Sequence, residues 1–115
     1  MPVAVDQISN TTYNEDLARA SVELAERGKL GIYHLAGPDS LDRYSFARMV
    51  CSVFDLDPGF LDSRTTAELS QRAPRPLDAR LRIEKASAEL VTRLTHADEG
   101  LKATKASLQA MTGTR

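Results

Sequence analysis

The sequence predicts an α/β chain, with a few short strands among four or five helices, and three observations carry that reading. Residues 31–37, Gly-Ile-Tyr-His-Leu-Ala-Gly, form one short apolar run of strand length. A helical apolar pattern stands on each side of it, at residues 14–27 and 40–54. Turn residues separate the segments: Gly28, the pair Gly37-Pro38 and the pair Pro58-Gly59. The length of 115 residues corresponds to one domain.

The elements follow in chain order. Val3-Ala4-Val5 is a candidate strand that starts abruptly. Asp6 to Asn14 is polar and reads as a loop. Thr12-Tyr13-Asn14-Glu15 has the form of a capping box, in which a hydroxyl and a carboxylate satisfy free backbone amides. Leu17, Ala20, Ser21, Leu24 and Ala25 then recur at helical spacing, and Gly28 stops that helix by taking positive φ. Residues 31–36 are apolar at alternate and intervening positions alike, as in a strand covered on both faces. Asp39 or Ser40 is placed to cap the next helix. Its stripe runs through Leu41, Tyr44, Ala47, Cys51 and Phe54. After the turn at 56–59, Phe60-Leu61 is a small apolar anchor and residues 65–69 open a short helix. Ala73-Pro74-Arg75-Pro76-Leu77 is stiff and extended, because each proline restricts itself and the residue before it. Ile83 to Leu90 is a short amphipathic helix. Thr95-His96-Ala97-Asp98 is a second box-like cap, opening a last helix through Met111.

Charge excludes several classes of partner. Fifteen basic residues against sixteen acidic ones leave a net charge of −1, with no basic stripe to hold nucleic acid. The single cysteine, Cys51, has no partner for an internal disulfide, which fits a reducing compartment. No apolar run approaches the roughly 20 residues of a membrane span, and the first residues lack a signal-peptide pattern. A cytoplasmic protein without a membrane partner is the expectation. The sequon Asn10-Thr11-Thr12 carries no weight without secretion.

The chemistry-bearing residues are sparse. No Gly-rich phosphate loop follows a strand, since Gly28 and Gly31 precede the apolar run and lack a third glycine. No tyrosine has a lysine four positions on: Tyr13 leads to Leu17, Tyr33 to Gly37 and Tyr44 to Arg48. His34 and His96 lie far apart in the pattern, with no cysteine or acid cluster around them, so no metal set is expected. Cys51 lies on the apolar stripe and reads as an inert core thiol, and His34 as a packed histidine. Glu15 and Asp16 suit the positive end of a helix dipole. No residue is assigned a catalytic role. Arg75 stands out. A guanidinium held between two prolines loses little freedom on meeting an anion, and its planar fork matches phosphate oxygens. Arg72, Arg80 and Arg82 make a small cationic patch with it, against the one acid Asp78.

Several segments together resemble one family. Asp6-Gln7 followed by Asn10, Thr12-Tyr13 and Asp16-Leu17-Ala18 is similar to the DQ-x-x-x-P-T-x-x-x-DLA segment of dTDP-4-dehydrorhamnose reductases. Gly31-Ile32-Tyr33-His34-Leu35 resembles their GxYHL strand, and Tyr44-Ser45-Phe46-Ala47 their W-Y-x-[FY]-A helix. Thr65-Thr66-Ala67-Glu68 with Ala73-Pro74-Arg75-Pro76 resembles their T-T-x-[EA] and A-x-RP passages, with Arg80-Leu81 and Lys85 following in register. Four positions depart: Thr11 stands for the usual proline, Arg43 for a frequent tryptophan, and Asp78-Ala79 for Asn-Ser.

The resemblance implies the C-terminal portion of a Rossmann-type extended short-chain reductase. Residues 1–115 would be a single partial domain that binds sugar nucleotide, with the dinucleotide-binding half absent. The parent would reduce a 4-keto-deoxysugar nucleotide of dTDP-rhamnose biosynthesis with NADPH or NADH. This portion would hold no cofactor and be inactive alone. A non-catalytic binding or regulatory module of the same fold is the alternative. By the same resemblance Arg75 would contact the substrate diphosphate, with Asn10 and Thr12 lining the cleft. Magnesium is possible at a subunit interface, with Glu15 as a candidate ligand. Uncovered sheet edges and helix faces imply a homo-oligomer.

Overall fold

The computed structural model describes residues 1–112 and shows a mixed α/β arrangement with five short strands and five helices. Strand β1 (Pro2–Ala4) pairs in parallel with β4 (Asp62–Arg64), Pro2 opposite Asp62 and Ala4 opposite Arg64. Strand β2 (Ile8–Asn10) is the centre of a three-stranded sheet. It runs antiparallel to β3 (Ser40–Asp42) and parallel to β5 (Asp78–Ala79). The sequence expectation of a loop over 6–14 is therefore corrected. A polar, three-residue strand carries no apolar alternation, and only its two neighbours make it a strand.

The run 31–37 is also corrected. It is extended but belongs to neither sheet. It lies across α1 (Asn14–Glu26) and α4 (Glu84–Glu89). Tyr33 and Leu35 face inward, onto a cluster of Ala20, Ala86 and Leu90. Ile32 and His34 face outward, Ile32 being 78% exposed. So the segment is covered on one side only, and His34 is not a packed core histidine. Side chains replace the missing ladder. Lys85 Nζ donates to the Ile32 carbonyl at 2.9 Å and sits 4.1 Å from the centre of the Tyr33 ring. The Tyr33 hydroxyl donates to Glu89 at 2.7 Å.

The helices follow the sequence pattern, while several caps come from elsewhere. Helix α1 ends as expected: Gly28 takes φ +61°, its amide reaches the Ala25 carbonyl, and the Lys29 amide reaches that of Leu24. Its start is different. Tyr13 is the capping position without a side-chain bond, and the Thr12 hydroxyl accepts from the Gly37 amide instead. Helix α2 (Arg43–Val53) is capped by Asp42, which accepts from the Ser45 amide at 2.9 Å. The expected cap at 39 or 40 fails because Ser40–Asp42 is drawn into the sheet as β3. A single 3-10 turn at Pro58–Phe60 leaves Phe60 74% exposed, so it anchors nothing within this chain. Helix α3 (Thr66–Leu69) opens with a complete capping box between Thr65 and Glu68. Helix α5 (Ala97–Met111) gets its cap from a distant residue: Asp39 Oδ2 accepts from the Ala97 amide at 2.7 Å. Cys51 is buried on α2, with a free thiol.

The packing is open. Of the large apolar side chains none is fully buried, and Leu30, Ile32, Phe60, Val91 and Met111 are each more than 70% exposed. The radius of gyration is 16.4 Å, against about 13 Å for a compact chain of this length. The accessible surface is 8001 Å², against about 6,200 Å² for a monomer of this mass.

One carboxylate ties α1 to the turn after α4. Glu23 accepts from the Val91 and Thr92 amides, each at 2.8 Å, and pairs with Arg27. Hydrogen bonds from Thr92 and then Val91 hold its carboxyl down at about 2, against an ordinary 4.5. A depressed carboxylate stabilises the fold above its unfolded value and loses that contribution as pH falls toward the folded one. Acid titration of folding is therefore expected to show stability lost from pH 4.5 down to about 2. Glu23→Gln should flatten that part of the curve, and an unchanged slope would remove Glu23 as its source.

Candidate functional site

The three residues singled out by sequence fall on separate concavities. Asn10 lines an open hollow of 590 Å³ between β2, β5 and the start of α4. Both polar atoms of its side chain are engaged: Nδ2 donates to the Gly37 carbonyl at 2.8 Å and Oδ1 accepts from the Leu81 amide at 2.7 Å. Thr12 borders a smaller apolar pocket of 190 Å³, shared with Phe46 and the first turns of α5. Its hydroxyl is bonded to Gly37. Both residues thus hold the chain at 10–12 against Gly37. They shape the edge of the Asn10 hollow.

Arg75 lies elsewhere, on a concavity of 480 Å³ between β1, the start of α2 and the segment leading from α3. It is exposed and, among the described residues, takes part in no ion pair or hydrogen bond. The patch expected at 72–82 is divided. Arg80 is held by Asp78 through two bonds, at 2.8 and 2.7 Å, which push the Asp78 carboxyl down to about 2. Arg80 and Arg82 face the Asn10 hollow, away from Arg75.

Two residues beside Arg75 escaped the sequence reading. Gln7 is only 5% exposed and every polar atom of its amide is engaged. Its Nε2 donates to the Thr66 hydroxyl at 3.1 Å and to Gln71 Oε1 at 2.9 Å. Its Oε1 accepts from Arg43 Nε at 3.1 Å. The sequence offered Gln7 only as half of an Asp-Gln pair, and its neighbours in space lie 36 to 64 positions away. Arg43 was visible only as a departure from tryptophan.

The arrangement is suited to binding rather than proton transfer. The nearest thing to an acid–base pair is His96 with Asp39, at 2.9 Å. The Asp39 hydrogen bond raises the His96 pKa, and the Ala97 amide together with His96 lowers that of Asp39. Asp39 is already occupied as the cap of α5, so the pair braces a helix start. The positive-φ glycines among the described residues, Gly28 and Gly31, sit in the turn after α1, with no strand leading into them. Glu15 is exposed and paired with Arg19 at 3.3 Å. No group of three or more metal-ligating side chains occurs among the described residues. No helix among them is long and apolar enough to cross a membrane.

Comparison with known proteins bears on what such a surface binds. A family model described as the RmlD substrate binding domain matches residues 1–110. A spore coat polysaccharide biosynthesis protein of Bacillus subtilis, SpsK, is 36% identical over 74 residues, covering 64% of this chain and 25% of that protein. A probable low-salt glycan biosynthesis reductase of Haloferax volcanii is 26% identical over 90 residues, 78% of this chain and 30% of that one. Among solved structures, a dTDP-4-dehydrorhamnose reductase from Bacillus anthracis, in complex with NADP, superimposes with a TM-score of 0.83 at 22% identity. That match covers 93% of this chain and 38% of the reductase. An orthologue from Clostridium acetobutylicum gives 0.80 at 26% identity, over 95% of this chain and 39% of that one. The chain thus spans between a quarter and two fifths of the length of these relatives.

Proposed function

The chain belongs to the RmlD substrate binding domain family, and from that premise we propose that it is the sugar-nucleotide-binding portion of a dTDP-4-dehydrorhamnose reductase-like oxidoreductase. The observation that carries the proposal is the family match over 110 of the 115 residues. The open packing supports it. Roughly 1,800 Å² of surface beyond that of a compact monomer is enough for a large interface. A dinucleotide-binding half would cover much of it, and in the isolated chain the same surface favours self-association into a homo-oligomer.

In this reading the whole enzyme, a cytoplasmic one, reduces a 4-keto-deoxysugar nucleotide for dTDP-rhamnose synthesis. NADPH or NADH would supply the hydride when bound. Residues of this chain bind and orient the nucleotide. Arg75, stiffened by Pro74 and Pro76, meets the diphosphate with little loss of freedom. Asn10 and Thr12 act on the cleft by fixing the backbone at 10–12. Nothing in the chain supplies the Tyr-x-x-x-Lys pair, so it is inactive alone.

An assay of NADPH oxidation with dTDP-4-dehydrorhamnose tests this. The 115-residue chain is expected to give no turnover, and a chimera joining it to the dinucleotide-binding half of a solved relative is expected to give it. Turnover by the chain alone would overturn the inactivity, and a folded but inert chimera would overturn the reductase reading.

A further inference from the structure

We propose that Arg43 and Arg75 form a two-guanidinium cleft for a diphosphate-class oxyanion, with Arg43 the pre-aimed member of the pair. The inference deepens the sugar-nucleotide reading and rests on it for taking a nucleotide diphosphate as the natural occupant.

Both arginines line the same 480 Å³ concavity, and none of its lining residues is acidic. Asp6, the carboxylate beside Gln7 in sequence, is spent on the Thr66 amide and hydroxyl, at 2.9 and 2.7 Å. Arg43 is aimed from behind. Its Nε is held by Gln7 at 3.1 Å, and its backbone amide donates to the Gln7 carbonyl at 3.2 Å. Gln7 is itself buried and pinned by Thr66 and Gln71. A guanidinium anchored through Nε keeps its two terminal nitrogens for a ligand, in the fork geometry that accepts two oxygens. Among the described residues those nitrogens have no protein partner, and neither does the side chain of Arg75.

Two like charges facing one hollow without a carboxylate repel each other, and an anion between them removes that cost. Diphosphate, with at least two negative charges and oxygens on both phosphorus atoms, offers acceptors to each of the two forks that line the concavity. The Asn10 hollow is the weaker candidate, because Asp78 already neutralises Arg80 there and Glu84 adds a further negative charge.

The test titrates the 115-residue chain with inorganic pyrophosphate at fixed ionic strength, by calorimetry, and then with dTDP-rhamnose. Arg43→Gln and Arg75→Gln are each expected to weaken pyrophosphate about tenfold, the effect of one charge-assisted contact. Arg43→Lys should weaken it less, and Arg48→Gln, on the exposed face of α2, should leave it unchanged. A thermal melt of each variant establishes that it is folded. Absence of pyrophosphate binding to the parent chain, or equal affinity in a folded Arg43→Gln, overturns the cleft. If dTDP-rhamnose binds and Arg43→Gln binds it equally well, the cleft fails and the sugar-nucleotide reading stands. If pyrophosphate binding depends on both arginines while dTDP-rhamnose does not bind, the cleft stands and that reading fails.

Discussion

Gly37→Ala is expected to destabilise the chain by about 3–5 kcal/mol, the largest effect of any single methyl group added to it. A Cβ at Gly37 would lie 1.9 Å from the Thr11 carbonyl oxygen and 3.1 Å from its carbon. Those are backbone atoms and have no rotamer to change. Relief needs a shift of the 10–12 segment by more than an ångström. That shift would also break the Asn10 bond to the Gly37 carbonyl and the Gly37 bond to Thr12. Overpacking of about 1–3 kcal/mol is thus joined by two hydrogen bonds of about 1 kcal/mol each. Urea denaturation measures the change, and a loss below 1 kcal/mol would mean that the two segments are not clasped as described.

Asp16→Ala is expected to cost about 3 kcal/mol, because it removes a buried carboxylate and leaves the half-buried Thr95 amide and hydroxyl without their acceptor. Asp16 is 3% exposed on the first turn of α1. Its Oδ2 accepts from the Thr95 amide at 2.8 Å and from the Thr95 hydroxyl at 2.7 Å, and its Oδ1 pairs with Arg19 at 3.1 Å. The bonds span 79 positions and fix the approach to α5. Removing the carboxylate leaves the Thr95 amide with no acceptor. Adding Thr95→Val, which removes the hydroxyl at nearly constant volume, to the variant should change stability little further, since the partner of the hydroxyl is already gone. A full additional loss in the double variant would show that Thr95 acts independently of Asp16.

Asp16 also shows where sequence stops. Its position at a helix start was legible as favourable charge for a dipole, but its partner was not, because no local pattern announces a contact 79 residues away. The helices were legible throughout, since their apolar spacing survives in α1, α2, α4 and α5. The strands were not. β4 is Asp-Ser-Arg, exposed at each residue, and β5 has two residues. Such strands exist by pairing alone. The apolar run at 31–37 misled for the opposite reason: Ile32 is apolar but points away from the chain, like Leu30 just before the run. A side chain that awaits a covering surface looks, in sequence, like one already covered. At the candidate site, Arg75 drew notice in sequence through its two flanking prolines. Gln7 and Arg43 were not, because their meaning lies in each other and in Thr66 and Gln71, brought together only by the fold.

The same uncovered side chains connect the fold to the proposed function. The buried apolar residues are mostly alanines, while leucine, isoleucine and phenylalanine side chains stand exposed, as the proposed reading expects of a portion covered by a second half. Its pinned loops, by contrast, are finished: Gly37, Asn10, Thr12 and Gln7 have their bonds within this chain. On the proposed reading, substrate-binding geometry is in place without the dinucleotide-binding half.

The most direct measurement of that claim is an NMR titration of the isolated chain with dTDP-rhamnose. Saturable shifts are expected at Gln7, Arg43, Gln71 and Arg75, on the 480 Å³ concavity. Spectra that do not change up to millimolar ligand, or shifts confined to other faces, would contradict a preformed sugar-nucleotide site in this chain.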